Sequence, residues 1–237
     1  MTAAAPPLVF VAVLVGAVLP FVPLVGRVAR IAATIVHEVG HCVVVVPFGG
    51  RIDRIDLHPD GSGEAWVRLG RVPGAIRWLV RILNLFAGYS APVWAGVLLV
   101  TGVLHGSRWL PVAVLAVVGL VALAFVRNWF GLLVVVGFDA LALWVAVRPS
   151  EVTVLVVAAV GAAFLVDGLR SLVQVARWLL TGARVQTDFH IAAAEMRVPA
   201  VLWFVLFVVV NGVVVWLVRE PLLASWDTVA AGVRALF

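Results

Sequence analysis

Long apolar segments alternate with short polar breaks along the whole chain. A helix crosses the hydrocarbon core of a bilayer with about 20 residues, so segments of this length are candidate spans. Seven such segments are present, at residues 8–26, 31–48, 82–104, 109–126, 130–147, 152–169 and 198–218. The pattern predicts an all-α polytopic membrane protein with six to seven transmembrane helices, the first of which is kinked at Pro20.

The first long polar stretch, residues 51–71, has the pattern of a β-hairpin. Apolar side chains recur at short intervals on both sides of Pro59-Asp60-Gly61, which is typical of two strands joined by a turn. We expect a small hairpin at the membrane surface, directly after the second span. Its edge could pair with an extended substrate segment, as sheet edges do with peptides. A surface linker without such a role is the alternative that the sequence leaves open.

Two further polar stretches lie near the C-terminus. Residues 170–197 mix arginine, acidic and histidine side chains, and Ser171 to Leu180 have the pattern of an amphipathic helix in the membrane interface. Residues 219–237 form a short mixed tail in which a surface helix is expected. No internal repeat, linker or second domain is visible, so residues 1–237 are expected to form a single integral-membrane domain.

The composition agrees with a protein embedded in lipid. Of the 237 residues, 64% are hydrophobic and 12% are charged, and the mean hydropathy is +1.17. These values lie far outside the range of soluble domains. The formal charge of +5 does not indicate a nucleic-acid partner, because no basic stripe with interleaved aromatic residues is present.

Arginine supplies all 17 basic residues, and its distribution predicts the orientation. With seven spans, eleven arginines fall on the side that holds residues 51–71 and 170–197, and six fall on the other side. Loops rich in arginine are retained in the cytoplasm. The hairpin and the 170–197 segment are therefore expected to be cytoplasmic and to contact membrane lipid.

The second span contains the sequence His37-Glu38-Val39-Gly40-His41. Histidines four residues apart lie on one face of a helix, about 6 Å apart along its axis, so both can bind one metal ion. Glu38 is rotated from His37 by about 100°, at the edge of that face, where it can accept a proton from the attacking water. Three polar side chains inside an apolar run are costly unless they are paired or bind a ligand. The motif therefore predicts a metal site.

An HExxH motif inside a span, followed by a strand-rich polar segment and further spans, resembles the site-2 protease family of intramembrane zinc metallopeptidases. The closest resemblance is to a bacterial branch of short multi-span members. The similar stretches are Ala33–His41, Ala87–Gly96, Arg127–Gly131 and Asp188–Trp203. The resemblance implies one Zn2+ ion bound by His37, His41 and a distant aspartate, with Glu38 as the general base.

The same resemblance implies a function and a location. It implies a single metallopeptidase domain in the bacterial plasma membrane that cleaves transmembrane segments of membrane proteins. Water enters the site, and the substrate helix unwinds locally, since its peptide bonds are otherwise hidden in backbone hydrogen bonds.

Three aspartates are candidates for the third zinc ligand. The family's aspartate usually lies in a Leu-Asp-Gly element, and Val166-Asp167-Gly168 resembles the core of that element, so Asp167 is the preferred ligand. Asp139 lies inside a span, where a carboxylate is a functional candidate by default. Asp188 lies in the polar segment, outside the bilayer, and His190 or water are the remaining options.

Two other classes of function stay open. A catalytically inactive pseudo-protease would bind membrane partner helices, and a missing third ligand would favour it. A transporter or channel would use the motif as a metal or proton path, but the intramembrane polar residues cluster in one helix and no repeated halves are visible. The sequence does not give the substrate or the oligomeric state.

Overall fold

The computed structural model describes residues 5–182, 185, 187–217, 219–220 and 227. Within them, the chain forms eight α-helices and one two-stranded sheet. The elements are α1 (Pro6–Val18), α2 (Val25–Val45), β1 (Arg51–Leu57), β2 (Gly63–Arg68), α3 (Gly74–Leu104), α4 (Trp109–Phe125), α5 (Trp129–Val147), α6 (Glu151–Thr181), α7 (Asp188–Met196) and α8 (Ala200–Leu217). The helical polytopic fold with a hairpin after the motif helix is confirmed.

Each of the seven predicted apolar segments contains a helix. Five helical stretches are long and apolar enough to cross a membrane: Val25–Phe48, Gly74–Leu104, Trp129–Val147, Glu151–Thr181 and Ala200–Leu217. Two apolar helices are shorter, at Pro7–Phe21 and Trp109–Phe125. The surface helix expected in residues 219–237 falls, apart from 219–220 and 227, outside the described residues.

The first predicted span, residues 8–26, is interrupted rather than kinked. Helix α1 ends at Val18, a single 3-10 turn follows, and α2 begins at Val25. Proline lacks a backbone N–H and disfavours helix in the residue before it, so Pro20 and Pro23 together stop the helix. Leu24 then adopts a left-handed φ of 66°, which turns the chain into α2.

Two helices are longer than predicted. Helix α3 begins at Gly74, well before the predicted start at 82, and α6 continues through the predicted interfacial helix to Thr181. Each has 31 residues, or about 46 Å at 1.5 Å per residue, against a hydrocarbon core of about 30 Å. Both helices therefore extend beyond the core, and the extension of α3 carries Arg77 and Arg81.

The hairpin is anchored in the helical core by one face. Strand β1 pairs antiparallel with β2, and Ile55 and Leu57 of β1 are each 1% exposed in the same apolar cluster as Val36 of α2. Strand side chains alternate between faces, so residues 55 and 57 point the same way. The hairpin prediction is confirmed, and one of its faces packs against the helices; its placement at the membrane surface stays a prediction.

The two outer edges of the hairpin have different surroundings. The β1 edge is closed by residues 126–128. Ile55 forms a bridge with Val126, and its carbonyl accepts the N–H of Arg127 at 3.1 Å. Leu57 donates its N–H to Asn128 Oδ1 at 3.0 Å. The turn is held by Thr34 of α2, whose Oγ1 donates to Gly61 O at 2.8 Å. Strand β2 lies beside the C-terminal half of α2.

Candidate metal centre

Helix α2 presents both motif histidines to one point. The Nε2 atoms of His37 and His41 are 3.2 Å apart, and the two rings meet edge to face with centroids 4.9 Å apart. This is the consequence of the four-residue spacing, which places both side chains on one helix face. The predicted pairing of these histidines is therefore present in the structure.

A carboxylate from a distant part of the chain completes the group. Asp188 Oδ2 lies 3.5 Å from His37 Nε2 and 3.5 Å from His41 Nε2. Within the described part of the chain, His37, His41 and Asp188 are the group of metal-binding side chains whose ligand atoms lie within 4.8 Å of one another. The third side chain at the histidines is thus Asp188, from the polar segment, rather than Asp167.

The spacing of these three atoms suits zinc. Zinc ligands lie about 2.0–2.1 Å from the ion in a tetrahedron, which separates one ligand atom from the next by about 3.3 Å. The observed separations are 3.2, 3.5 and 3.5 Å. Asp188 Oδ2 is also buried and lacks a hydrogen-bond partner among the described residues. A buried charged oxygen without a partner is costly, and a cation between the three atoms would remove that cost.

Glycine at position 88 leaves room for the group. A Cβ on Gly88 of α3 would lie 2.4 Å from His41 Nε2 and 2.8 Å from His37 Nε2. Real Cβ atoms do not approach this closely, so any side chain here would displace the imidazoles. The neighbouring Tyr89 packs its ring edge to face against His37, with centroids 4.8 Å apart. Helix α3 therefore forms the wall behind the histidines.

The backbone of α3 fixes the orientation of His41. His41 Nδ1 lies 2.8 Å from Asn84 O, and Asn84 Nδ2 donates to His41 O at 2.7 Å. A carbonyl can only accept, so Nδ1 carries a proton, and Nε2 is the nitrogen that faces the centre and is available to a metal. Outer partners of this kind orient metal-binding histidines generally. The sequence suggested packing or a hydrogen bond for Asn84, and the structure shows the bond.

Glu38 lies beside the group without joining it. Its side chain is 5% exposed and faces β2, where a Cβ on Gly63 would come within 3.1 Å of Glu38 Oε1. The carboxylate accepts a hydrogen bond from the Ala65 N–H of β2 and lies within electrostatic range of His37, His41 and Asp188. The edge placement predicted from helix geometry agrees with this arrangement.

Asp188 is held by the packing of α7. It is the first residue of that helix, and the next residue, Phe189, is 3% exposed. The Phe189 ring stacks on Tyr89 at 5.2 Å and meets Phe207 of α8 at 5.5 Å. Burial pushes the pKa of the Asp188 carboxyl up, but the two imidazoles lower it by more and hold it below its usual range. The carboxylate is therefore ionised, which is the form that binds metal.

A cavity of about 1440 Å³ opens on these groups. One wall is formed by residues 63–71, which are β2 and the loop after it, and another by the first half of α3. The opposite wall is the face of α7 that carries Asp188, Ile191 and Glu195. The edge of β2 therefore runs along a space that contains both the candidate ligands and the candidate base.

Comparison with known proteins agrees with this site. A family model described as Peptidase M50B-like matches residues 8–218. The chain belongs to the Peptidase M50B-like family. This is a site-2 protease family, so the resemblance to site-2 proteases is confirmed and the protein is membrane-embedded. No curated protein and no solved structure matches the chain, and membership of a bacterial branch stays a prediction.

In this M50B-like chain, the other candidate ligands lie elsewhere. Asp167 is 6% exposed on α6 and lies within electrostatic range of Arg30 and Arg170. Asp167 is not part of the group formed by His37, His41 and Asp188. The resemblance of Val166-Asp167-Gly168 to a family element covers three residues only, and such a short similarity does not determine which face of a helix meets α2.

Two further alternatives are also separate from the histidines. Asp139 lies against α4, where a Cβ on Gly119 would come within 1.8 Å of its Oδ1. His190 pairs with Thr187 Oγ1 at 2.8 Å through Nδ1. Asp188 was only a third option in the sequence; the signal that could have favoured it is the similarity of residues 188–203 to the family, which covers more residues than the three around Asp167.

Proposed function

We propose that this M50B-like peptidase is a zinc-dependent intramembrane endopeptidase that cleaves transmembrane segments of membrane proteins. The observation that supports this most is the convergence of Asp188, across 147 residues of chain from His41, on the two motif histidines. A catalytic zinc site has three protein ligands and an open fourth position for water, and the group has that composition. The third ligand is what separates a peptidase from the inactive alternative.

Each side chain has a defined role in this proposal. His37 Nε2, His41 Nε2 and Asp188 Oδ2 would hold the ion. Zinc held there supplies Lewis-acid polarisation of the attacking water and of the scissile carbonyl. Glu38 Oε1 accepts the proton of that water and then passes it to the leaving amine nitrogen. The hydrogen bond from His41 Nδ1 to Asn84 O keeps the imidazole in the tautomer that binds metal.

The hairpin supports a mode of substrate binding. The β1 edge is occupied by residues 126–128, whereas the β2 edge borders the cavity. An extended segment of substrate can add to β2 by backbone hydrogen bonds, which would hold one of its peptide bonds beside Glu38. The cavity exceeds the 300–1,000 Å³ usual for small-molecule sites, in agreement with a peptide substrate. The sequence left this role and a plain linker equally open, and the edge geometry favours the binding role.

The test separates metal binding from chemistry. Glu38→Gln is expected to keep one zinc per chain and to lose cleavage of synthetic single-span peptides in lipid nanodiscs by about a hundred- to ten-thousandfold, the range that general-base catalysis contributes. Zinc is measured by elemental analysis and cleavage by mass spectrometry. Glu64→Gln, on the exposed face of β2 in the same cavity, is the matched control and should retain both.

Two results would overturn the proposal. Cleavage by Glu38→Gln at the wild-type rate would exclude Glu38 as the base. If wild-type protein purified in the presence of metal contained no zinc, the partner-binding pseudo-protease would be the better explanation.

A further inference from the structure

Five arginines line the same cavity, and we name them the arginine rim. They come from three places in the chain that meet at one end of the hairpin: Arg51, Arg68, Arg71, Arg77 and Arg81. All five are exposed. The mechanism proposed above uses none of them.

Most of the rim's charge is not neutralised by the chain. Arg68 pairs with Asp53 at 2.6 Å, and Arg81 pairs with Glu195 at 3.3 Å across the cavity. Arg51, Arg71 and Arg77 have no acidic partner within the described residues. Carboxylates also line the cavity, but three arginines without an ion-pair partner remain at the rim end, where clustered positive charge attracts anionic ligands.

The strand register adds a second observation. Arg51 of β1 stands directly opposite Arg68 of β2, and like charges in directly opposed positions destabilise a hairpin. Asp53 forms an ion pair with Arg68 and lies within electrostatic range of Arg51, so one carboxylate faces two guanidinium groups. An anion bound from outside the chain at this end of the hairpin would remove the remaining repulsion.

The rim lies at a defined distance from the candidate base. Gly63 of β2 adjoins Glu38, and Arg68 follows five residues later along the strand, or about 17 Å at 3.3 Å per residue. A peptide that adds to the β2 edge would run from Glu38 to the rim with the same rise per residue. Its side chains about five to eight residues from the scissile bond would then reach Arg68 and Arg71.

We propose that the arginine rim binds acidic side chains in the extended segment of the substrate, about five to eight residues from the cleaved peptide bond. This inference rests on the proposed function, because it requires a peptide on the β2 edge. It assigns a substrate class to the enzyme: membrane proteins whose spanning segment is followed or preceded by a short acidic stretch.

An acidic peptide fits the rim better than an anionic lipid headgroup. The rim continues the β2 edge. The Ala65 N–H of that edge already bonds to the Glu38 carboxylate, but the backbone between Ala65 and the rim can hydrogen-bond an extended peptide, and a phospholipid has no matching backbone groups. Arg81 also pairs across the cavity with Glu195 of α7, so the rim borders the cleft between α3 and α7. Lipid binding is the alternative that the experiment must distinguish.

The experiment uses full-length Glu38→Gln protein, loaded with zinc, in nanodiscs of phosphatidylcholine alone. Three fluorescent peptides share one apolar 20-residue segment and differ at positions five to eight of its extension, which carry Glu, Gln or Lys. We expect the Glu peptide to bind roughly three- to tenfold more tightly than the Gln peptide, from two or three exposed charge pairs, and the Lys peptide to bind most weakly. Raising the salt to about 0.5 M should reduce the difference.

Matched variants locate the effect. Arg71→Gln/Arg77→Gln should remove the preference for the Glu peptide. Arg148→Gln/Arg177→Gln removes the same charge from exposed positions outside the cavity and should leave the preference intact. Equal binding of the Glu and Gln peptides, no binding of any peptide, or a preference that survives in the rim variant would each refute the inference. A rim effect that appears only in discs with added phosphatidylglycerol would refute it in favour of a lipid site.

Failure of the inference can be distinguished from failure of the proposed function. If wild-type protein cleaves all three peptides at one rate and Glu38→Gln cleaves none, the peptidase stands and the rim is not a specificity site. If wild-type protein holds no zinc and cleaves nothing, the proposed function is wrong, and the acidic substrate class is wrong with it.

Discussion

Helices α2 and α7 meet at one cavity, but they hold their metal-binding groups by different means. Helix α2 has 21 residues and carries both histidines on one face, so its backbone alone fixes their spacing. Helix α7 has nine residues and presents Asp188 from its first turn. Its position depends on Phe189, which is 3% exposed among the aromatic rings of α3 and α8.

This difference divides the site into two parts. The local half is His37, Glu38 and His41 on α2, and the tertiary half is Asp188 on α7. The spacing of the two histidines along α2 should persist in any variant that keeps α2 helical, whereas the orientation of their rings also depends on Asn84 and Gly88 of α3. The carboxylate should be lost whenever α7 is displaced, even if its sequence is unchanged. Substitutions in the two helices and in α3 can therefore test each half separately.

The largest effect is expected from Asp188→Asn, which removes the tertiary half. A neutral amide is a poor zinc ligand, and even outer partners of zinc ligands are worth 10–100-fold in affinity, so we expect affinity to fall more than about a hundredfold. Competition with a fluorescent zinc chelator measures it. Asp167→Asn is the control and should bind zinc as the wild type does. The reverse pattern would show that Asp167 is the ligand.

Gly88→Ala tests whether both halves share one confined space. The added Cβ would lie 2.4 Å from His41 Nε2 and 2.8 Å from His37 Nε2. We expect roughly a hundredfold or greater loss of zinc affinity, comparable to the upper range for disturbed ligand orientation, with cleavage lost in parallel. Gly137→Ala in α5 adds the same methyl where nothing lies within 4 Å. Normal zinc binding by Gly88→Ala would contradict the observed geometry.

Phe189→Ala tests the packing that holds the tertiary half. Removing a buried aromatic side chain costs about 3–5 kcal/mol, which should loosen α7 while leaving α2 intact. Zinc affinity is expected to fall by roughly ten- to a hundredfold, the range for lost support of a ligand. Ile191→Ala, on the partly exposed cavity side of α7, should have a smaller effect. If both substitutions had the same effect, the aromatic packing would not be what positions Asp188.

The smallest effect is expected from Asn84→Leu, which acts on the local half. The variant loses the bond from Asn84 Nδ2 to His41 O but keeps the backbone carbonyl that accepts from His41 Nδ1. One hydrogen bond contributes about 0.5–1.5 kcal/mol, so zinc affinity should fall roughly two- to tenfold. Leu83→Ala, at an exposed neighbouring position, is the control. A hundredfold loss would mean that the local half also depends on α3.

Most of the fold could be predicted from the sequence because membrane spans obey a local rule. Each apolar segment satisfies its own backbone hydrogen bonds, so length and hydropathy are enough to identify it. The ends of α3 and α6 were placed wrongly, because polar residues such as Arg77 and Arg177 are tolerated in a helix that extends past the bilayer core. The burial of Ile55 and Leu57 was also missed, since strand alternation reveals a buried face but not its partner.

The sequence by itself determined the local half of the site. The order His37, Glu38 and His41 on a helix places two imidazoles together and a carboxylate beside them, whatever the rest of the chain does. Only the tertiary structure decided between Asp167 and Asp188. That choice depends on which face of α6 meets α2 and on how Phe189 packs between α3 and α8. Each packing arrangement is stabilised by many weak contacts between residues far apart in the chain.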